Sequence, residues 1–381
     1  MRFLHTSDWH IGRKFNKVDL LNDQAVFFDW LLSVVADQAI DCVLVAGDVF
    51  DRANPSPESV EVADSIFGRL ISANVQVVVI SGNHDSAERL NFGSGAMSAA
   101  GLHIRTEKKS LINVGQPIDI VSRDGRETVQ VLPIPYLEPL RLIDTLGSQR
   151  THDAVVETVV QRHRSQLTDP SRTIAMAHAW VAGGSASDSE RQLSVGGSST
   201  VPPAIFDGLG YVALGHLHRP QRVSSDHIHY SGSPLAYSFT EEHQKIVRII
   251  DTSNEITSHA INVEVGRPVV TLTDTLENLL HSSQYAASEN SFVRALLTDV
   301  SLQMGAMDQL RQRFPYTLDI SYPSLIPQGA ANVFLDQQRT RKSTADTISE
   351  YLTETFGDGI DDDGKEFVFS VMNTTIAGGD E

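Results

Sequence analysis

A chain of 381 residues with 41% hydrophobic and 20% charged residues can bury a substantial core and is too long for one ordinary domain. No apolar run approaches the ~18 residues of a membrane span; the opening Met1-Arg2-Phe3-Leu4-His5-Thr6-Ser7-Asp8 lacks a secretory signal, so a cytoplasmic protein with no membrane partner is expected. One cysteine, Cys42, excludes a disulfide framework and cysteine-rich metal sites, and a net charge of −18 argues against a general polyanion binder.

Five short apolar runs, at 2–6, 42–46, 75–80, 173–177 and 211–214, have the length and β-branched content of strands buried on both faces. Between the first two, apolar residues at 26, 27, 30, 31, 34 and 35 predict a helix within 18–40. Pro55 and Pro57 set the start of a second helix over 58–73. Strand–helix–strand–helix–strand implies right-handed crossovers and parallel pairing. The stretch 102–135 reads as short strands broken by Gly115, Asp124-Gly125 and Pro133, which suggests a second, more antiparallel sheet. Further strands follow over 220–265, including 246–250. Segment 268–320 then reads strand, helix, strand, helix, strand, as a small α+β domain would. Pro323, Pro327 and Gly329 make a linker before a helical stretch at 332–356 and an acidic break at 358–364. The domain boundaries expected are 1–265, 266–322 and 323–381.

Each of the five core strands runs at once into polar chemistry. The first leads to Asp8-Trp9-His10, the second to Gly47-Asp48-Val49-Phe50-Asp51-Arg52, the third to Gly82-Asn83-His84-Asp85, the fourth to His178, and the fifth to Gly215-His216-Leu217-His218. In an open α/β sheet the carboxyl ends of the strands form one rim where ligands bind. A mixed set of carboxylates, one amide and several imidazoles suits a pair of Mn²⁺, Fe or Zn ions better than Mg²⁺. The i, i+2 pairs Asp8/His10 and His216/His218 project to one side of extended chain. With Asp48 as the bridge, Asp8, His10, Asp48 and His218 are assigned to one ion, and Asp48, Asn83, His178 and His216 to the other. Two ions so held suit activation of a water for attack on a phosphoryl centre; His84 would face that phosphate as transition-state stabiliser or proton donor, with Asp85 orienting its ring. Asp51 and Arg52 are expected behind the ligands. Arg13, Lys14 and Lys17 are candidate phosphate contacts. His5 reads as a core residue, and the remaining histidines as surface or packed residues.

These motifs resemble the calcineurin-like metallophosphoesterase superfamily. Thr6-Ser7-Asp8-Trp9-His10-Ile11-Gly12, Gly82-Asn83-His84-Asp85-Ser86, Ser187-Asp188-Ser189-Glu190-Arg191, Gly215-His216-Leu217-His218-Arg219-Pro220-Gln221 and Tyr230-Ser231-Gly232-Ser233-Pro234 narrow the resemblance to the SbcD family, nuclease subunits in DNA double-strand-break repair. The resemblance covers residues 1 to about 250. It implies a four-layer α/β/β/α sandwich, two Mn²⁺ ions (Mg²⁺ or others as alternatives), an α+β capping domain over the DNA, and a C-terminal helical arm. It also implies a homodimer within a heterotetramer that includes an SbcC-type ATPase. The activity implied is Mn²⁺-dependent exonuclease on duplex ends and endonuclease on single strands or hairpins, serving repair, recombination and replication. A small-molecule phosphodiesterase or phosphatase, and a mainly non-catalytic DNA-end tether, stand as alternatives.

Overall fold

The structure, a computed structural model, describes residues 1–106, 114–139, 151–190 and 200–325. In chain order the described strands are β1 (Arg2–Thr6), β2 (Lys14–Phe15), β3 (Val18–Asp19), β4 (Cys42–Ala46), β5 (Gln76–Ile80), β6 (Leu102–Arg105), β7 (Ile118–Val121), β8 (Thr128–Ile134), β9 (Ile174–His178), β10 (Tyr211–Gly215), β11 (Gln221–Arg222), β12 (Ile228–Tyr230), β13 (Ile246–Asp251), β14 (Thr257–Asn262), β15 (Val269–Asp274), β16 (Phe292–Leu297) and β17 (Thr317–Ser321). Helix α1 (Leu21–Asp37) follows the β2–β3 hairpin, and α2 (Pro57–Ser72) follows β4. Ser56 starts α2 by accepting the Ser59 N–H, with Pro57 in the first turn where its missing donor costs nothing.

Two six-stranded sheets carry the architecture, ordered β14-β13-β1-β4-β5-β6 and β11-β12-β10-β9-β8-β7. Strand alternation decides what each face meets. Along β4, Cys42, Leu44 and Ala46 join a core between the sheets that includes Phe3, Val78, Ile174, Met176 and Ala213. Val43 and Val45 face the other way, into a cluster with Phe28, Leu31, Ile66 and Leu70 of α1 and α2. On the second sheet Ala175, Ala177 and Val212 pack with Val155, Val156 and Val159 of helix His152–Arg164. The layers are therefore helix, sheet, sheet, helix, the sandwich that the motifs implied. His5 lies in the core as expected, its ring nitrogens 3.2 Å from the Tyr211 hydroxyl and 3.1 Å from the Leu214 carbonyl.

Two expectations about pairing need correction. The strand at 102 does not open a new sheet; β6 pairs parallel to β5 at the edge of the first. The second sheet is also less antiparallel than its sequence suggests. β8–β9, β9–β10 and β10–β12 are parallel pairs, and only β7–β8 and β11–β12 are antiparallel. The glycine- and proline-broken stretch 114–135 forms a hairpin at the edge of a sheet whose centre, β9 and β10, comes from buried apolar runs later in the chain. The five ligand-bearing strands accordingly divide between two sheets, β1, β4 and β5 in one and β9 and β10 in the other.

Among the described residues, Cα packing forms two compact units, one drawn from 1–272, 277–295 and 305–320, the other from 273–276, 296–304 and 321–325. In the first, Arg267 pairs with Asp23 at 2.5 Å and stacks 3.9 Å over Tyr316, while Phe15 meets Phe292 edge-on at 5.4 Å. In the second, the Thr298 N–H reaches the Asp274 carbonyl (3.0 Å) and the Leu276 N–H the Asp299 carboxylate (2.8 Å). The strand–helix–strand–helix–strand order expected over 268–320 is formed, as β15, Leu276–His281, β16, Ala306–Arg313 and β17. The helix expected at 332–356 and the acidic tail lie outside the described residues.

Where the sheets meet, a Cβ on Gly215 would lie 1.8 Å from the Ala46 carbonyl oxygen, whereas one on Gly68, inside α2, would meet nothing within 4 Å. Gly215→Ala is expected to destabilise the protein by about 3 kcal/mol or more. Gly68→Ala is expected to stabilise it by about 0.5–1 kcal/mol, since it removes only unfolded-state freedom. Urea denaturation of the two variants checks the opposite signs.

Candidate metal centre

The strand ends reach the site through strained backbone. Asp8, His10, Asp48 and His216 all have positive φ, at 54°, 43°, 51° and 106°. Such conformations cost about 1–3 kcal/mol each for residues with a side chain and persist only where their surroundings hold them. Here the Asp8 N–H donates to the Gly47 carbonyl (3.0 Å) and the His10 N–H to the Asp48 carbonyl (2.9 Å). Ligand candidates hold one another as well: the His216 N–H donates to the Asp8 carboxylate (2.9 Å) and the His84 N–H to Asp48 Oδ1 (2.8 Å). Glycine is required beside them by proximity. A Cβ on Gly82 would lie 2.1 Å from Asp48 Oδ1, and one on Gly47 2.2 Å from His178 Nδ1.

Asp8, His10, Asp48, His178, His216 and His218 are all buried, and Asn83 is half-buried. Donor atoms of Asp8, His10 and His218 lie within 4.8 Å of one another, as do those of Asp8, Asp48 and His178, and of His10, Asp48 and His84. The proton positions available make this arrangement informative. His178 Nδ1 faces the Ala46 carbonyl at 2.9 Å, so it is the donor nitrogen and Nε2 carries the lone pair. That lone pair lies 3.0 Å from Asn83 Oδ1, itself an acceptor, and the same oxygen lies 3.1 Å from His216 Nδ1. On the other side His218 turns Nδ1 toward Ser189 Oγ (2.6 Å), leaving Nε2 to face His10 Nε2 at 3.1 Å. His10 Nδ1 and His216 Nε2 are buried with no hydrogen-bond partner. The His178 lone pair held against an acceptor oxygen, and buried imidazole nitrogens crowded at 3.1 Å, are what divalent cations satisfy, and the residues present fit a pair of them.

Burial sets the electrostatics. It pushes the Asp8 and Asp48 carboxyls up to about 6, and it pushes His10, His178 and His216 down, helped by neighbouring imidazoles. His218 goes the other way. Burial alone would lower it, but the Glu241 carboxylate beside Nδ1 outweighs that and raises it.

His84 is also buried, its ring 4.6 Å from that of His10. The expectation that Asp85 orients this imidazole is corrected. His84 Nδ1 meets the main-chain carbonyl of Asp51 at 2.8 Å. Asp85 instead accepts the N–H groups of Val49 (3.2 Å), Phe50 (2.9 Å) and Gly82 (2.8 Å), tying the loop after β4 to the loop after β5. The Asp51 carboxylate lies 3.6 Å from His10 Nδ1, and Arg52 extends from it into solvent, 78% exposed.

Arg13 is drawn inward. Its guanidinium donates to Asp51 (2.9 Å) and the Ser189 carbonyl (3.2 Å) and lies 4.9 Å over the Tyr237 ring, so it braces three segments and its charge is already paired. Lys14 and Lys17 are exposed on the β2–β3 hairpin.

Sequence reasoning assigned no role to Glu190, Glu241 or Lys245. Glu190 accepts the His218 N–H at 2.7 Å, and Glu241 lies 3.4 Å from His218 Nδ1 and 2.5 Å from Lys245 Nζ. No local signal marks Glu241: its neighbour Glu242 is exposed, while Glu241 is 1% exposed.

A model of the calcineurin-like phosphoesterase family matches residues 1–220. Among solved structures, TT1561 of Thermus thermophilus is 10% identical with a TM-score of 0.41, over 69% of this chain and 99% of that one. A dimetal phosphatase from Danio rerio is 12% identical with a TM-score of 0.39, over the same 69% and 99%. Likeness at this level fixes neither substrate nor partner.

Because Asp8 and Asp48 titrate at about 6 in the ion-free protein, a cation must displace protons from them below that pH. Affinity for a divalent cation, with Mn²⁺ as the probe, is expected to fall as pH drops from 7.5 to 5, with more protons released per ion at the lower pH. Titration calorimetry in buffers of different ionisation heat counts them.

Proposed function

Because this chain belongs to the calcineurin-like phosphoesterase family, we propose that it is a Mn²⁺-dependent DNA nuclease subunit of the SbcCD type. The observation that carries the hydrolytic part of this reading is the meeting of seven ligand candidates from five strand ends, with His84 beside them. Asp8, His10, Asp48 and His218 would hold one ion, and Asp48, Asn83, His178 and His216 the other. When bound, two such ions supply Lewis acidity that polarises a phosphoryl group and acidifies water.

The chain's own residues do the rest. The Asp51 carbonyl accepts the Nδ1–H of His84, which fixes the ring's direction; as an imidazolium, His84 would deliver its Nε2 proton to a departing alkoxide and be left as the neutral Nδ1–H tautomer. The His84 N–H on Asp48 couples that ring to the shared carboxylate, so acid and ligand keep one register. Asp85, through its three main-chain contacts, keeps both loops in place.

DNA as substrate is supported by the closely matching motifs and by the chain that continues past the ligand set, over 266–322 and 323–381. A small phosphodiester needs no such additions. With a net charge of −18 and Arg13 paired, an SbcC-type ATPase would supply much of the positive surface, alongside Lys14, Lys17 and Arg52 of this chain. A second copy in the heterotetramer would cover the apolar groove beside α2, about 710 Å³ and lined by Val60, Phe67, Leu90 and Phe92, where Phe92 is 83% exposed. Among the described residues no helix is long and apolar enough to cross a membrane.

With Mn²⁺ the purified protein is expected to degrade DNA. His84→Ala should lower the rate about 10²–10⁴-fold while still binding Mn²⁺; full activity in that variant sinks the role given to His84. Hydrolysis of a simple phosphodiester with no DNA cleavage would favour the small-substrate reading. Phe92→Glu is expected to turn a dimer into a monomer by sedimentation.

A further inference from the structure

The four imidazoles of the centre are not held alike. His178 rests its outer nitrogen on a main-chain carbonyl, and His216 Nε2 has no partner. His10 Nδ1 is 3.6 Å from Asp51, beyond hydrogen-bond reach. His218 is the exception. Its Nδ1 faces Ser189 Oγ at 2.6 Å and Glu241 Oε1 at 3.4 Å, its N–H is held by Glu190 at 2.7 Å, and its carbonyl accepts from Lys245 Nζ at 3.4 Å.

Glu241 organises this surround. Its side chain is fully buried; one oxygen takes Lys245 Nζ at 2.5 Å and the Tyr237 N–H at 3.2 Å, and the other takes the Ser187 hydroxyl at 3.2 Å and the Ser189 hydroxyl. Glu190 closes the loop by accepting the Ser187 N–H at 2.7 Å. A buried lysine–carboxylate pair costs desolvation, and apolar side chains would fill the same space at no loss of stability. A carboxylate behind a ligating imidazole, however, fixes its tautomer and ring direction and strengthens it as a donor.

We propose that Glu241, held by Lys245, is a positioning residue that sets the affinity of one ion position only, that of Asp8, His10, Asp48 and His218. The position of Asn83, His178 and His216 is independent of it. The two positions are therefore unequal, and loss of the Glu241 charge turns a two-ion centre into a one-ion centre at limiting metal. This rests on the dinuclear reading above.

The test is Mn²⁺ binding to the full chain by titration calorimetry, with electron paramagnetic resonance to separate spin-coupled from isolated Mn²⁺. In Glu241→Gln one binding step is expected to weaken about 10–100-fold and the other to stay within about twofold. The coupled signal should disappear at two equivalents of Mn²⁺ and return in excess. The double variant Glu241→Gln with Lys245→Met carries no unpaired buried charge and should show the same single loss. If it restores both steps, Glu241 only balances Lys245 and the proposal is overturned. Equal weakening of both steps, or of neither, overturns it as well. Wild-type protein that binds fewer than two ions would instead remove the dinuclear reading itself, and the proposal with it.

Discussion

The close approach of two strand ends, β4 from one sheet and β10 from the other, governs what the rest of the molecule can do. Ala46 ends β4, and its carbonyl both receives His178 Nδ1 at 2.9 Å and lies where a Cβ on Gly215 would fall. Only glycine at 215 lets the sheets close to that distance, and only then can Asp48, His178 and His216 share a volume the size of an ion pair's coordination sphere. The sandwich core of Leu44, Val78, Met176 and Ala213 supplies the apolar burial that holds the approach, at about 25 cal/mol per Å² removed from water. The glycines work against chain entropy and the left-handed aspartates and histidines against local strain, so the centre is placed at the expense of the scaffold around it.

Much of this could be read from sequence because ligand-bearing strands announce themselves twice, by an unbroken apolar run and by the polar cluster that ends it. β4 followed by Gly47-Asp48, and β10 followed by Gly215-His216-Leu217-His218, are legible on both counts. The division of those strands between two sheets was less so, since apolar runs buried on both faces look alike whichever sheet they join. Side-chain partners of charged residues were least legible. Asp85 was expected to serve His84 because the two are adjacent, yet in a tight turn adjacent side chains diverge, and Asp85 folds back on three main-chain N–H groups. Arg13 reads as an exposed base in Arg13-Lys14 until Asp51, Ser189 and Tyr237, distant in sequence, are brought to it.

Stability and chemistry are joined in this centre. Buried carboxyls raised to about 6 at Asp8 and Asp48, packed with His10 and His216 imidazoles that burial keeps neutral, describe a site whose groups are poorly matched to one another and well matched to added positive charge. A ligand that binds only the folded state adds its binding free energy to the fold, so occupancy and resistance to unfolding rise together.

The order of the ligands along the chain has a consequence for biosynthesis. Asp8 stands near the start and His218 with its support Glu241 far behind, and β1 is itself completed only by β13, through pairs such as Phe3 with Ile250. A chain still shorter than 250 residues leaves β1 without its antiparallel neighbour, and one that stops before His216 lacks two of the seven ligand candidates as well. A product ending before His216 would thus hold no complete centre, so the capacity for hydrolysis arises only late in synthesis.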